Sequence, residues 1–295
     1  MLIKENVRLQ SVINGTWKSA LTILAVCLLS SAFNQYFLIK YLEFPSIFPS
    51  LLGTTLAFFI GFNNNQSYAR WWEARIIAGG ITGLSRSLAR QCIGYIGQRQ
   101  EAEKMIYRQI AFVYALTEYL RNKHEGSYEK YLKEEVPVTL KKAKNKYSAI
   151  LQMQVLHLQE LYSKGHIDGF KFAQLNETIS NISGEMGKAE RIKNTVYPTT
   201  YIFYTKLFIW IFIVSVTIVL NDTIGMYAVL LGMIIGYVYF ISHKVGETLL
   251  NPFVPNPVGV PLDHLTRSAE IDLKEVLGED NLPEPLSVIN NEYIL

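Results

Sequence analysis

Charged residues are scarce in this sequence. Asp, Glu, Lys and Arg make up 18% of its 295 residues, below the quarter or so of an average soluble domain. A lipid setting is therefore open before any motif is read. Net charge is only +3, and Lys and Arg form no long run interleaved with aromatics, which argues against a DNA or RNA partner. Cysteine is limited to Cys27, inside an apolar run, and Cys92, which stands alone. They supply neither a disulfide framework nor a paired-cysteine metal site. His124, His157, His166, His243 and His264 are scattered, so no convergent set of acid, base or metal ligands emerges, and neither an enzyme nor a cofactor is expected. His243 and Glu247, one turn apart, read as a helix-end pair, and Arg70 with Glu73 as an interfacial ion pair. Strand-like alternation is missing. The start, MLIKENVRLQ, lacks a short apolar core followed by a small-residue cleavage site, so the first apolar segment is expected to be retained.

Long apolar runs, by contrast, are plentiful. About 20 apolar residues cross the hydrocarbon core as a helix, and four stretches approach that length: Ala20–Ile39, Phe44–Ala69 with its Asn/Gln-rich end expected beyond the lipid, Val196–Leu220 broken by Lys206 alone, and Thr223–Ser242. Each must be helical, because hydrocarbon offers the backbone no other hydrogen-bond partner. The links Lys40–Ser46 and Asn221–Asp222 are short, whereas a long polar stretch separates the second span from the third. The expected fold is thus an all-α membrane protein, with four transmembrane helices in two hairpins plus a cytosolic helical domain. Its parts are residues 1–80, with the first hairpin; 81–195, cytosolic; 196–248, the second hairpin; and 249–295, a cytosolic C-terminal segment. Lys4, Arg8, Lys18, Arg70, Arg75, Arg191 and Lys193 flank the spans on one side. The positive-inside rule then puts both termini and the polar region in the cytoplasm, with the spans in the cell membrane. Lys206 reads either as a charge facing a cavity or as a side chain snorkelling to the interface.

Within the polar region Ile106, Ile110, Val113 and Leu120 share one helical face, as do Leu151, Val155, Leu158 and Tyr162. Phe172, Leu175, Ile179, Ile182 and Met186 recur at the seam spacing of packed helices. After the fourth span NPFVPNPVGVPLD forbids a helix through its prolines. A helix over Leu262–Leu277, stopped by Gly278, is expected next, and then a tail that is pinned to a surface or mobile.

The second span, SLLGTTLAFFIGFNNNQSYARWW, interlocks two stripes. Gly53, Ala57 and Gly61 are the small residues that let membrane helices approach closely. One residue on, Thr54, Phe58 and Phe62 project together. In a ring of identical helices they would form an apolar constriction able to gate by dewetting. On spacing alone, the phenylalanines can equally face lipid or a neighbouring span.

The run from Ser50 to Arg75, above all GFNNNQSYARWWEAR, resembles the bestrophin family of ion channels, its bacterial branch included. LLNPF at 249–253 followed by VPLD at 260–263 is a second match, and Glu190-Arg191 ahead of Pro198 a weaker third. The resemblance implies a homopentamer in the lipid bilayer whose partners are its own copies and the permeant ions. It makes Thr54, Phe58 and Phe62 the pore neck, with Thr54 in place of the usual isoleucine. A second constriction, at the cytosolic aperture, falls near Phe170 by a loose count, where a surface aromatic fits as well. The acidic run that clasps calcium in animal members is replaced here by VPNPVGVP, without a carboxylate, so calcium activation there is not expected. Positive ring edges favour chloride or another monovalent anion; a monovalent-cation channel of the same family is the alternative, and a transporter or enzyme a more distant one. Transporters show internal repeats and helices interrupted at the midplane. Here the hairpins lack mutual similarity, and Gly232 and Gly236 read as packing positions.

Overall fold

The structure, a computed structural model, describes residues 9–38, 44–132, 138–289 and 293–295. Lys4 and Arg8, used above to orient the chain, and Lys40, at the start of the first expected link, lie outside the described residues. Within them the protein is nearly all helix: α1 Leu9–Phe33 runs into a π-helical turn Asn34–Leu38, and α2 Ile47–Tyr95, α3 Arg99–Arg121, α4 Val138–Lys142, α5 Lys146–Ser163, α6 Gly169–Asn194, α7 Thr199–Ile224, α8 Tyr227–Leu249 and α9 Leu262–Leu277 follow. An isolated bridge, Ile289 with Tyr293, lies in the tail. Helical segments long and apolar enough to cross a membrane fall in Gly15–Phe37, Ile47–Tyr95, Thr199–Ile224 and Tyr227–Leu249. The chain divides into two compact units, one holding Lys4–Arg70 with Val196–Leu250, the other Trp71–Thr195 with Asn251–Leu295.

In the first unit Ile23 and Cys27 of α1, Leu56 and Ile60 of α2, Ile209, Phe212 and Ile213 of α7 and Val229 of α8 form a buried cluster. Small residues set the approach of α8. A methyl on Gly236 would stand 2.8 Å from Ile213 and 3.3 Å from Ile23, and one on Gly232 would overlap Thr217. Polar pairs tie α1 to α7: Ser31 donates to Asn221 Oδ1 at 2.7 Å, and Asn34 to Asp222 Oδ1 at 2.6 Å. These bonds explain why the expected link at Asn221–Asp222 is helix instead. The two residues have partners on α1 and the π-helical turn after it, and the chain turns three residues after Asp222, at Gly225, whose φ of 60° suits glycine. Lys206 pairs with Glu247 of α8 at 2.7 Å. Glu247 therefore serves Lys206, while His243 is buried with neither ring nitrogen hydrogen-bonded among the described residues.

The longest element is α2. At 1.5 Å per residue it measures about 74 Å, far more than a bilayer core needs, and it continues past Ala69, where the apolar run ends. No proline interrupts it, and Ala74, Ile77, Ala78, Ile81, Leu88 and Cys92 supply a second buried stripe at helical spacing, this one in the core of the second unit. That core joins Met105, Ile106, Ile110 and Phe112 of α3, Leu158 of α5, Leu175, Ile179 and Ile182 of α6 and Leu273 of α9. The α5 stripe is shifted from its expected place. Leu151 and Leu158 are buried, but Val155 and Tyr162 are exposed, and Ile150, Gln154 and Leu161 take the inner face. Gln154 is inside because it donates to Gln109 at 3.0 Å, and Gln109 to Ser85 at 2.7 Å. Glu73 pairs with Arg191 at 2.7 Å. The end of α9 is as expected, with Gly278 in the left-handed conformation at φ 70°. The tail returns, Leu295 accepting from His264 N at 2.8 Å.

Gly246→Ala places a methyl onto Asn64 Oδ1 and 3.1 Å from Asn63 Nδ2. We expect it to lower stability by about 1–3 kcal/mol. Gly61→Ala, which meets nothing within 4 Å, is expected to leave the melting temperature of detergent-solubilised protein unchanged or slightly raised. Equal midpoints for the two variants would contradict this packing.

Candidate functional site

The exposed face of α2 in the first unit carries Thr54, Phe58 and Phe62. Both phenylalanines keep about two thirds of their surface, 65% and 66%. Among the described residues these rings stay largely uncovered, on a helix otherwise engaged on its far side.

The opposite face is held at several levels. Near the start, Tyr239 Oη donates to Gly53 O at 3.1 Å, with the Phe212 ring packed at a tilt of 53° against Tyr239 and close enough that a methyl on Gly53 would stand 2.8 Å from it. One turn on, Leu56 and Ile60 enter the core. Phe59 stacks on Tyr201 at 5.6 Å, and Tyr201 Oη donates to Phe59 O at 2.9 Å. Further along, Tyr197 Oη donates to Asn63 Oδ1 at 2.7 Å, and Asn64 Nδ2 to Ser242 O at 3.0 Å. Each contact constrains rotation about the axis of α2. Together they hold Thr54, Phe58 and Phe62 outward.

The small stripe beside them divides. Gly53 is buried and used within the chain, but Ala57 is exposed and Gly61 meets nothing within 4 Å. Steps of four drift around a helix by about 40° each, so Gly53 lies at the edge of the packed face while Ala57 and Gly61 have rotated onto the exposed one. Within one chain, therefore, the packing face is Gly53, Leu56, Ile60, Asn63 and Ser67. Spacing did not single out Asn63, Asn64, Gly246, Tyr197 and Tyr201, which fix the helix. The polar run NNNQ was their one sign, and Asn63 and Ser67 are in fact buried at 1% and 0%.

Thr54 differs from the phenylalanines in chemistry. Its hydroxyl donates to Ser50 O at 2.9 Å, so the proton is used by the helix and the oxygen is left as an acceptor.

Phe170 belongs to the second unit. It is the second residue of α6, just inside the helix rather than before it, and is 87% exposed. Asp168 caps that helix, accepting from Lys171 N at 2.9 Å. Of the weaker sequence match, Glu190 accepts from Tyr147 Oη at 2.5 Å and Arg191 pairs with Glu73. The VPNPVGVP loop is tied by a charge from inside: Arg121, its side chain 1% exposed, donates to Phe253 O at 3.2 Å and Val260 O at 3.4 Å and faces Asp263 at 3.6 Å. Burial pulls this guanidinium below its usual pKa, against the Asp263 charge. Among the described residues no three His, Cys, Asp or Glu side chains gather as a metal site.

Residues 6–275 match the model of the Bacterial/Fungal Bestrophin protein family. The voltage-dependent anion channel-forming protein YneE of Salmonella typhi is 27% identical over 235 residues, 79% of this chain and 77% of that protein. The voltage-dependent anion channel-forming protein mll4386 of Mesorhizobium japonicum is 28% identical over 229 residues, 78% and 74% of the two. Among solved structures, a mutant of a bacterial Bestrophin homolog from Klebsiella pneumoniae superposes with a TM-score of 0.84 at 20% identity, over 90% of this chain and 100% of that one. A second crystal structure of that homolog gives 0.82 at 19% identity, over 89% and 98%. At such identity the likeness is one of fold.

Tyr197→Phe strips a bond from buried Asn63 and is expected to cost about 1–3 kcal/mol. Tyr201→Phe removes a donor from a carbonyl already inside the helix ladder, so its loss should be smaller, about 1 kcal/mol at most. Thermal melts of the two variants side by side check the order; the reverse order would mean that Asn63 does not anchor α2.

Proposed function

We propose that this chain, which belongs to the bacterial and fungal bestrophin family, forms an ion-conducting pore whose narrow neck is a ring of α2 helices contributed by identical copies. The observation that carries the reading is the pair of bare rings, Phe58 and Phe62, on a helix whose back is locked. One chain cannot close a ring from one stripe. In a pentamer, Ala57 and Gly61 would face the next copy of α2, where small side chains permit close approach, and Thr54, Phe58 and Phe62 would turn to the axis. Rings of phenylalanine make an apolar passage that empties of water when narrow. Their positive edges attract a monovalent anion such as chloride, in keeping with the names of the curated relatives, which are anion channel-forming proteins. Phe170, bare at the start of α6, is the candidate for a second aperture.

The basic residues bracketing the spans put both termini and the second unit in the cytoplasm, with the first unit in the cell membrane. One observation favours cations instead. A ring of Thr54 oxygens whose protons are given to Ser50 carbonyls presents acceptors only, and acceptors suit a cation or water better than an anion.

Planar bilayers under an asymmetric salt gradient test both readings. Native protein is expected to pass single-channel current with a reversal potential on the anion side. Phe58→Ala and Phe62→Ala should raise the conductance severalfold by widening and wetting the neck, and Thr54→Ile should lower it. No current from the native chain or from either alanine variant would remove the pore reading, and a reversal potential on the cation side would give the Thr54 ring the deciding role. A detergent-solubilised mass of one or two chains would independently sink the neck.

A further inference from the structure

In the second unit two histidines accept hydrogen bonds from α3. His157 of α5, 8% exposed, takes Arg108 Nη1 at its Nδ1, 2.8 Å away. A guanidinium only donates, so Nδ1 carries no proton. The other nitrogen, Nε2, then holds the proton and donates it to Glu101 Oε2 at 2.7 Å. Geometry alone thus fixes the ring as neutral and in one tautomer. Burial and the Arg108 charge pull its pKa below the ordinary value, against the pull of Glu101. Burial works to raise Glu101, but the bonds from His157 and Lys104 prevail and leave it lowered. A charged carboxylate therefore faces a neutral imidazole.

The second histidine repeats the arrangement. Gln98 Nε2 lies 3.0 Å from His166 Nε2. An amide nitrogen only donates, so His166 accepts there as well. His166 stands in the turn that joins α5 to α6, its own N–H bonded to Leu161 O at 2.9 Å. Two residues on, Asp168 starts α6, and Phe170 follows. Among the described residues Glu160, on the same helix and paired with Lys164 at 2.5 Å, also acts on His157, and Lys104 pairs with Glu101 at 3.3 Å.

We propose that His157 is an acid-released latch that holds the end of α5 against α3, and so, with the Gln98–His166 contact at the α5–α6 turn, sets the segment that presents Phe170. Protonation turns the accepting Nδ1 of His157 into a donor facing the Arg108 donor. It also sets a second positive charge against Arg108, with the Glu101 carboxylate bonded to the other ring nitrogen. The latch itself stands on contacts within one unit. Its bearing on ion flow rests on the reading of Phe170 given above.

Hydrogen–deuterium exchange on the full-length protein in detergent, corrected for intrinsic exchange, tests the latch at about pH 7.5 and about pH 5, either side of the histidine range. Peptides over the turn, residues 161–170, are expected to lose about tenfold of their protection in acid. His157→Gln keeps an acceptor and a donor but cannot titrate, and should remove most of that change. An unchanged native chain, or an equal loss in His157→Gln, would overturn the proposal. Should His157→Gln be unprotected at both values, the native titration decides, because protection must then fall along a single-histidine curve centred below the ordinary value. Stability should follow the same sign. The unfolded chain takes up a proton near the ordinary histidine value and the folded one only lower, so stability is present above that value and is lost as pH falls through it. Exchange needs no ion flow, so a chain that passed no current would sink the pore reading and leave this result standing.

Discussion

In hydrocarbon an apolar side chain gains nothing by hiding, so phenylalanines cannot choose which way a membrane helix faces. That choice falls to the polar and small residues, which alone distinguish protein from lipid. In α2 the ones that find partners within the chain lie on one side. Gly53 accepts Tyr239, Asn63 accepts Tyr197, and Asn64 reaches Ser242 across a gap that Gly246 leaves open. The exposed face follows by exclusion. Thr54, Phe58 and Phe62 look outward because the other side of their helix is spoken for.

The same logic explains what could be read from the chain and what could not. Four apolar runs and the Leu262–Leu277 helix, with its glycine stop, were legible because length, charge and cap residues report on local physics. The seam from Leu175 to Met186 was legible because period and burial agree there. The extension of α2 beyond Ala69 was not, since charge marks the end of an apolar run and says nothing about the end of a helix. Nor was the displaced turn at Gly225, because Asn221 and Asp222 look like loop residues until Ser31 and Asn34 are known to face them. On α5, Gln154 sits inside and Val155 outside, an inversion that only the buried partner Gln109 explains. On the exposed face of α2 the stripe of Thr54, Phe58 and Phe62 was visible, but that both rings stay bare of the chain's other spans was not.

The second unit shows how a helical core tolerates charge. Arg121 is almost wholly enclosed, yet two loop carbonyls and Asp263 surround it. Buried charge of this kind is costly unless it is paired and hydrogen-bonded. What it secures is shape: a proline-rich loop is drawn onto α3 by a cation that cannot diffuse away. Glu270 and Tyr114, bonded at 2.6 Å, do similar service on α9. Burial and that bond raise the Tyr114 pKa to about 12, so the phenol stays protonated as donor.

The polar ties between α1 and α7 bear on how the molecule is made. Ser31 and Asn221 are 190 residues apart, and Asn34 and Asp222 are 188. At a translation rate of roughly 5–20 residues per second, α1 leaves the ribosome some 10–40 seconds before its partner exists. During that interval Asn34 has no Asp222 to bond, and an unpaired amide in lipid is expensive. The first span is therefore the least settled part of the nascent protein until the third arrives. Biogenesis of this fold waits on a helix encoded near its end.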